Sequence, residues 1–192
     1  MQINITAKTK HKPIDQSELM SKHKGREFQA YFEEVLVKYH PAIARVVSSY
    51  EVIKSLQEEL YQEISFALWK ALPSFDGNSS LKTYVLSIAH KRSISHVAKH
   101  AKEPRKTELN QEDVPFSNCP SEELSDSQKQ NKLIKAIHQL PMLERQLVAL
   151  SLEGVSYKEI ADILGISSNL VGVKLLRTKA KLKALIASGE KL

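Results

Sequence analysis

The sequence predicts an all-α protein made of two small helical domains joined by a flexible acidic linker. Apolar residues recur at helical spacing through most of the 192 residues, whereas strand-like alternation is scarce. Six Gly and seven Pro are few for this length. At residues 104–128 the periodicity stops, and prolines and acidic side chains accumulate. We therefore expect a basic flexible tail at 1–24, a first domain at 25–103, the linker at 104–128 and a second domain at 129–192.

The overall charge of the chain favours a polyanionic partner. The formal net charge is +6, from 28 Lys and Arg against 22 Asp and Glu. The single cysteine, Cys119, allows no disulfide within the chain and no cysteine cluster for a metal. No apolar run is long enough to cross a bilayer, and the N-terminus lacks the apolar core of a signal peptide. We therefore expect a cytoplasmic protein.

The first domain is predicted to contain three helical stretches. Apolar residues from Phe28 to Tyr50 follow helical spacing, and we expect Pro41 to interrupt the run. Glu58–Leu72 is a strong amphipathic helix, and the loop 74–80, SFDGNSS, follows it. The third helix, Leu81–His100, has one apolar and one basic side.

This loop and the basic helix after it suit single-stranded nucleic acid. Bases stack on aromatic rings such as that of Phe75, while cations follow the phosphates. A solvated basic face would produce the same pattern, so the segment by itself leaves both interpretations open.

The second domain is predicted to hold four helices. The second of them spans Met142–Leu152, and the last two form a helix-turn-helix within Ser156–Lys181. Ser156 and Glu159 are spaced as a capping box. Gly165 suits a turn with positive φ, and Ser167 caps the following helix. In this motif the second helix enters the DNA major groove. Basic residues on and after that helix support DNA binding over an ordinary pair of packed helices.

Taken together, these segments resemble bacterial RNA polymerase sigma factors of the sigma-70 family, of the extracytoplasmic-function (group 4) type. The matching stretches are KYHPAIARV (Lys38–Val46), EELYQEISFALWKALPSFDGNSS (Glu58–Ser80), LKTYVLSIAHKR (Leu81–Arg92) and LPMLERQLVALSLEGVSYKEIADILGIS (Leu140–Ser167). The first three are similar to region 2 of the family and the last to region 4. The resemblance implies an alternative sigma factor, a non-enzyme, that carries core polymerase to promoters.

The resemblance also implies a surface for core polymerase. In the family, a region 2 helix docks on the β′ coiled coil and region 4 meets the β flap. Carried over, the region 2 contacts are Glu58, Glu59, Leu60, Gln62, Glu63 and Trp69. An acidic helix with an apolar flank suits a partner that bears arginines. An ordinary amphipathic helix, with Trp69 in the core, is the alternative.

For the −10 element, the resemblance implies that region 2 melts the duplex and holds the single strand. The corresponding residues are Phe75, Asn78, Ser79, Ser80, Lys82, Tyr84, Lys91 and Arg92. The family usually has Trp at the Tyr84 position and Asn at the Lys91 position. Lys91 replaces a possible base reader with a phosphate binder, which changes the expected −10 preference.

For the −35 element, the resemblance implies readout by the second helix of region 4. The corresponding residues are Ser167, Ser168, Asn169, Gly172, Val173, Lys174, Leu176 and Arg177. The family commonly has Thr at the Leu170 position and Lys or Arg at the Gly172 position. Glycine inside a helix costs about 1 kcal/mol relative to alanine. We expect weak binding by this domain alone, with DNA shape contributing to readout.

The linker length predicts a compact free protein. A relaxed coil of about 24 residues spans roughly 25–30 Å. The two promoter elements lie roughly 60 Å apart. Polymerase must therefore separate the domains, with the acidic linker in a basic channel of the core. The family also implies an anti-sigma factor as a partner.

Three other functions compete with this one. A plain DNA-binding repressor explains the helix-turn-helix but not the first domain. An enzyme, or a bound metal or cofactor, is not predicted: His96 and His100 have metal-ligand spacing but lack the Glu of a zinc protease, and Glu59 and Glu63 lack histidines at di-metal spacing. A sigma-like protein that occupies polymerase without initiating remains open.

Overall fold

The computed structural model describes residues 26–101 and 124–188, and every regular element in these ranges is helical. The helices are α1 (Arg26–Tyr50), α2 (Lys54–Ala71), α3 (Leu81–His100), α4 (Leu124–His138), α5 (Met142–Leu152), α6 (Tyr157–Leu164) and α7 (Ser168–Ser188). This confirms the all-α prediction. The predicted tail, most of the predicted linker and Cys119 lie outside the described residues. None of the described helices is long and apolar enough to cross a membrane.

Helix α1 runs through Pro41 without a break, so the predicted interruption is wrong. Proline removes one helical hydrogen bond and normally breaks or kinks a helix. Here Ala42, Ile43 and Val46 continue directly into the buried core. Burying these side chains outweighs the missing hydrogen bond.

Helices α1, α2 and α3 form the first half of the molecule, with α3 packed against both of the others. The core residues of α2 are Leu60, Ile64 and Leu68. A polar pair lies inside this core, where Oη of Tyr50 and Nδ1 of His90 are 2.8 Å apart. Burial lowers the pKa of His90 to about 3, so its ring is neutral at physiological pH.

The second half begins earlier than expected. Helix α4 starts at Leu124, so residues 124–128, predicted as linker, are helical. Polar residues dominate this first turn and a half, which hid the helix from a search for apolar periodicity. Helix α5 has the predicted bounds.

The turn between α6 and α7 follows its local sequence. The Ser156 and Glu159 side chains form the predicted capping box. Gly165 ends α6 with φ +66°, a conformation in which a Cβ would be strained. The Oγ of Ser167 accepts a hydrogen bond from the Leu170 N–H at 3.3 Å, as expected for a helix cap.

The two halves contact each other, with α1 packed against α4 and α5. Nε2 of His138 lies 2.7 Å from the Ser48 carbonyl oxygen. Arg45 donates from Nε and Nη2 to the two carboxylate oxygens of Glu153, at 2.6 and 3.0 Å. The described residues thus adopt the closed arrangement that the linker length predicts.

Candidate polymerase and nucleic-acid interfaces

The outer face of α2 carries an exposed stripe of polar and aromatic side chains. Glu58 and Gln62 are exposed, and Phe66 follows on the next turn. Leu60 is fully buried in the first half, so this predicted surface residue supports the helix from inside. Its side chain cannot reach a partner unless the core opens.

Trp69 lies at the border between this stripe and the core. Its ring makes edge-to-face contacts with Phe28 and Phe32, with centroids 4.5 and 4.9 Å away. It nevertheless remains 38% exposed. One side of the indole therefore packs inward, and the other faces solvent.

Phe66 is a candidate contact that the sequence analysis missed. It is 60% exposed, which is unusual for an aromatic side chain. Nζ of Lys70 lies 4.2 Å from the centre of its ring. The available signal was its spacing, since Phe66 lies four residues after Gln62 on the polar side of α2.

Glu59 and Glu63 lie on the flank of α2 that faces α3. Nζ of Lys99 donates to Glu59 Oε1 at 3.0 Å and lies 3.8 Å from Glu63 Oε1. The hydrogen bond from Lys99 lowers the pKa of Glu59. Both carboxylates therefore already interact with Lys99 inside the first half.

The loop before α3 brings two predicted −10 residues together. The rings of Phe75 and Tyr84 lie 4.8 Å apart, tilted by 44°. Tyr84 Oη donates to the Ala71 carbonyl oxygen at 2.8 Å. Burial raises the pKa of Tyr84, and the nearby Asp76 adds to the effect. The Tyr84 hydroxyl thus anchors the loop, while its ring and that of Phe75 form a two-ring platform.

The other loop residues frame this platform. Asn78 and Ser80 are exposed, whereas Ser79 is half-buried. The Asn78 N–H donates to Asp76 Oδ1 at 3.1 Å. Ser80 caps α3 by accepting from the Thr83 N–H at 3.0 Å. Hydrogen bonds within the loop therefore hold its shape.

The predicted cations of α3 do not share one face. Lys91 comes seven residues after Tyr84, about two helical turns, and lies exposed on the same side, with Arg92 exposed beside it. Lys82 lies about half a turn away from Lys91 around the helix. Its Nζ donates to the carbonyl oxygen of Glu153 in the second half.

A second contact joins the start of α3 to the helix-turn-helix. Thr83 Oγ1 donates to Glu159 Oε1 at 2.7 Å, and Glu159 is the carboxylate of the α6 capping box. Hydrogen bonds from Ser156 and Thr83 lower the pKa of Glu159. In the closed arrangement, the second half therefore holds both Thr83 and its neighbour Lys82, which is a predicted −10 contact.

Most of the predicted −35 residues lie on the outer face of α7. Ser167, Ser168, Asn169 and Arg177 are exposed, and Lys174 is half-buried. Apolar side chains occupy much of the same face, since Leu176 is 74% exposed and Leu170 and Val173 are also exposed. Among the predicted −35 residues, the long cations are thus Lys174 and Arg177.

Gly172 lies in a regular part of α7, against the ring of Tyr157. A Cβ built on Gly172 would lie 3.6 Å from Cε2 of Tyr157, an ordinary van der Waals contact. The position therefore has room for a side chain, and no positive φ requires glycine there.

Two family models match separate stretches of the chain. Residues 35–103 match the family described as Sigma-70 region 2, and residues 130–182 match the family described as Sigma-70, region 4. The first match lies in α1–α3 and the second in α4–α7.

Relatives match over most of the chain. RNA polymerase sigma factor NccH of Alcaligenes xylosoxydans xylosoxydans is 26% identical over 182 residues, 90% of this chain and 96% of its own. The ECF RNA polymerase sigma-E factor of Escherichia coli K12 is 25% identical over 162 residues, 79% of this chain and 84% of its own.

Two solved structures share the fold. CnrH, in complex with the cytosolic domain of CnrY, has a TM-score of 0.62 at 18% identity, over 91% of this chain and 97% of its own. The sigma factor RpoE of Bartonella quintana, in complex with the anti-sigma factor NepR, has a TM-score of 0.61 at 22% identity. The match covers 81% of this chain and 96% of the RpoE chain. Because the two family matches and the named relatives agree, the chain belongs to the sigma-70 family of RNA polymerase sigma factors and is of its extracytoplasmic-function type.

Proposed function

We propose that this sigma factor is closed when free and acts on promoter DNA only after core polymerase has separated its halves. As an alternative sigma factor, the protein directs promoter-specific transcription initiation. The observation that carries the proposal is the engagement of Lys82 and Thr83 by Glu153 and Glu159 of the second half. A −10 strand can contact Lys82 only after that bond is broken.

Core polymerase binds the outer face of α2 in this proposal. Glu58, Gln62, Phe66 and the exposed side of Trp69 form the contact surface, with Glu59 and Glu63 at its edge. Aromatic side chains commonly dominate interface energetics because they bury large area at low entropy cost. The acidic groups favour a basic partner surface and speed association.

The −10 element is melted at the two-ring platform. Unstacking a base costs a few kcal/mol, so the open strand must gain contacts that the duplex lacks. The rings of Phe75 and Tyr84 offer a stacking surface, with Asn78 and Ser80 exposed nearby. Lys91 and Arg92, on the Tyr84 side of α3, follow the phosphates of the same strand.

The −35 element is read by α7, with low affinity. Lys174 and Arg177 contact phosphates or base edges, and the N–H groups after Ser167 can hold a phosphate at the helix start. The exposed apolar residues of this face add little in the polar major groove beyond contacts with thymine methyl groups. Polymerase therefore supplies most of the affinity for the promoter.

The protein is cytoplasmic, catalyses no reaction itself and is regulated by an anti-sigma factor in this proposal. The two structural neighbours support the last point, because one was solved in complex with the cytosolic domain of CnrY and the other in complex with an anti-sigma factor. A second candidate function is occupation of polymerase without initiation. Only one observation favours it, which is that Lys174 and Arg177 are the only long cations among the predicted −35 residues.

Run-off transcription separates these two functions. Purified protein is mixed with core polymerase and a promoter library, with core alone as control. We expect transcripts from shared start sites below a common upstream motif. Binding to core without transcripts would favour the second function, and failure to bind core would contradict both.

A further inference from the structure

Two histidines of α3 meet a carboxylate of α2 at the border between these helices. Glu59, His96 and His100 each offer a potential ligand atom, and these atoms lie within 4.8 Å of one another. The histidines are four residues apart, so they lie one turn apart on the same side of α3. Their rings are in contact, with centroids 4.4 Å apart.

His96 is a buried polar group that the protein itself does not satisfy. The residue is 1% exposed, and neither of its ring nitrogens makes a hydrogen bond. Nδ1 lies 3.4 Å from Glu63 Oε2, without hydrogen-bond geometry. A buried polar group without a partner costs roughly 1–3 kcal/mol, so such groups call for a specific explanation.

The spacing of the cluster suits a metal ion. Ligands about 2.1 Å from a tetrahedral ion lie roughly 3.4 Å from one another. His100 Nε2 lies 3.5 Å from Glu59 Oε1, which is close to that separation. Two imidazoles and a carboxylate are a donor set that suits zinc and its first-row neighbours, whereas calcium and magnesium prefer oxygen ligands alone.

We propose that Glu59, His96 and His100 form a binding site for a divalent transition-metal ion such as Zn²⁺, with water in the fourth position. Glu63 lies beside His96, where it can orient the ring or add a further oxygen ligand. Lys99 bonds Glu59 in the structure, and its side chain is more than half exposed. It can therefore swing into solvent when the ion binds.

An ion at this site joins α2 to α3. It fixes the helix that carries the polymerase surface relative to the helix that carries the −10 cations. Because the site draws on both helices of the folded first half, the ion stabilises the fold. The proposal about the site is independent of promoter activity, and its test needs neither polymerase nor DNA.

The test is metal binding by the full-length protein. Zn²⁺ affinity is measured by calorimetry and thermal shift, and Co²⁺ is used as a spectroscopic probe. We expect binding that raises the melting temperature, with the visible absorption of low-symmetry Co²⁺ bound to protein. Glu59→Gln and His100→Gln, both at partly exposed residues, should each weaken binding about tenfold or more.

Two further variants sharpen this test. Lys99→Met should tighten Zn²⁺ binding, because it removes the cation that competes for Glu59. Asp162→Asn, at an exposed carboxylate of α6, is the matched control and should bind as the wild type does. The proposal is overturned if the wild type does not bind, or if Glu59→Gln and His100→Gln bind as tightly as Asp162→Asn.

Discussion

The two halves of the molecule present different recognition surfaces. The first half presents aromatic rings beside charged groups: Phe66 and Trp69 are exposed on α2, and Phe75 and Tyr84 are half-buried before and within α3. The α7 face of the second half mixes two long cations with exposed apolar side chains such as Leu176. Most of the binding energy for polymerase and promoter DNA should therefore come from the first half. The second half should mainly fix the position of the protein on the promoter.

The largest expected effect concerns α2. Phe66→Ala should weaken core polymerase binding by about 2 kcal/mol, roughly thirtyfold, because this exposed ring is a central contact of the proposed surface. Val37→Ala removes a side chain that is 78% exposed on α1 and serves as the matched control. Binding is measured by fluorescence anisotropy of labelled protein. If the two variants bind core polymerase with equal affinity, the proposed polymerase surface on α2 is wrong.

The next effect concerns the two-ring platform. Phe75→Ala should reduce open-complex formation by an amount set by base stacking, about 1–3 kcal/mol. Tyr84→Phe keeps the ring and loses only the bond to the Ala71 carbonyl, so it should have a smaller effect. Permanganate reactivity of unpaired thymines reports melting at the −10 element. A larger loss for Tyr84→Phe would show that loop anchoring matters more than stacking.

A pH effect should appear in the stability of the first half. The pKa of His90 is lowered to about 3 by burial, so below pH 6.5 the unfolded state binds a proton that the folded state excludes. This contribution to stability is complete above about pH 6.5 and is lost as the pH falls toward 3, by up to about 1.4 kcal/mol per pH unit.

His90→Asn should flatten this dependence. The free energy of unfolding of the wild type and the variant is measured by urea denaturation at several pH values. The variant should be less stable at neutral pH because Tyr50 loses its bond to His90, yet it should lose less stability on acidification. Parallel curves for the two proteins would exclude His90 as the source of the pH dependence.

The smallest effects concern Gly172 in the second half. Gly172→Ala should stabilise the protein by about 1 kcal/mol, because α7 is regular there and a Cβ meets Tyr157 at an ordinary distance. Gly172→Arg should also strengthen DNA binding several-fold and steepen its salt dependence by about 0.9 per added phosphate contact.

The alanine variant is the matched control for the arginine variant in filter-binding assays on −35 duplexes. It should change stability without changing DNA affinity. If arginine brings no gain over alanine, α7 does not lie on DNA as proposed.

Local signals in the sequence predicted the elements whose ends are set by nearby residues. The Ser156 capping box, the Gly165 turn and the bounds of α3 and α5 depend on contacts within a few positions. The predicted break at Pro41 was wrong because burial of the neighbouring side chains in the core outweighs the hydrogen bond that proline removes. The start of α4 at Leu124 gives no periodic signal because the residues that follow it, 125–132, are all polar.

Contacts between distant parts of the chain were beyond the reach of sequence patterns. The spacing of His96 and His100 was visible, but their proximity to Glu59 depends on how α2 packs against α3. Likewise, nothing local indicates that Lys82 lies against Glu153. Such contacts arise only when the helices pack.

The central claim is that polymerase opens a closed protein. The most direct test is the distance between dyes on Val37→Cys in α1 and Ala184→Cys in α7, in a Cys119→Ser background. We predict a single short distance for the free protein and, on core polymerase, separation of the halves toward roughly 60 Å, the spacing of the two promoter elements. A free protein that is already extended, or a distance that core polymerase leaves unchanged, would contradict the account.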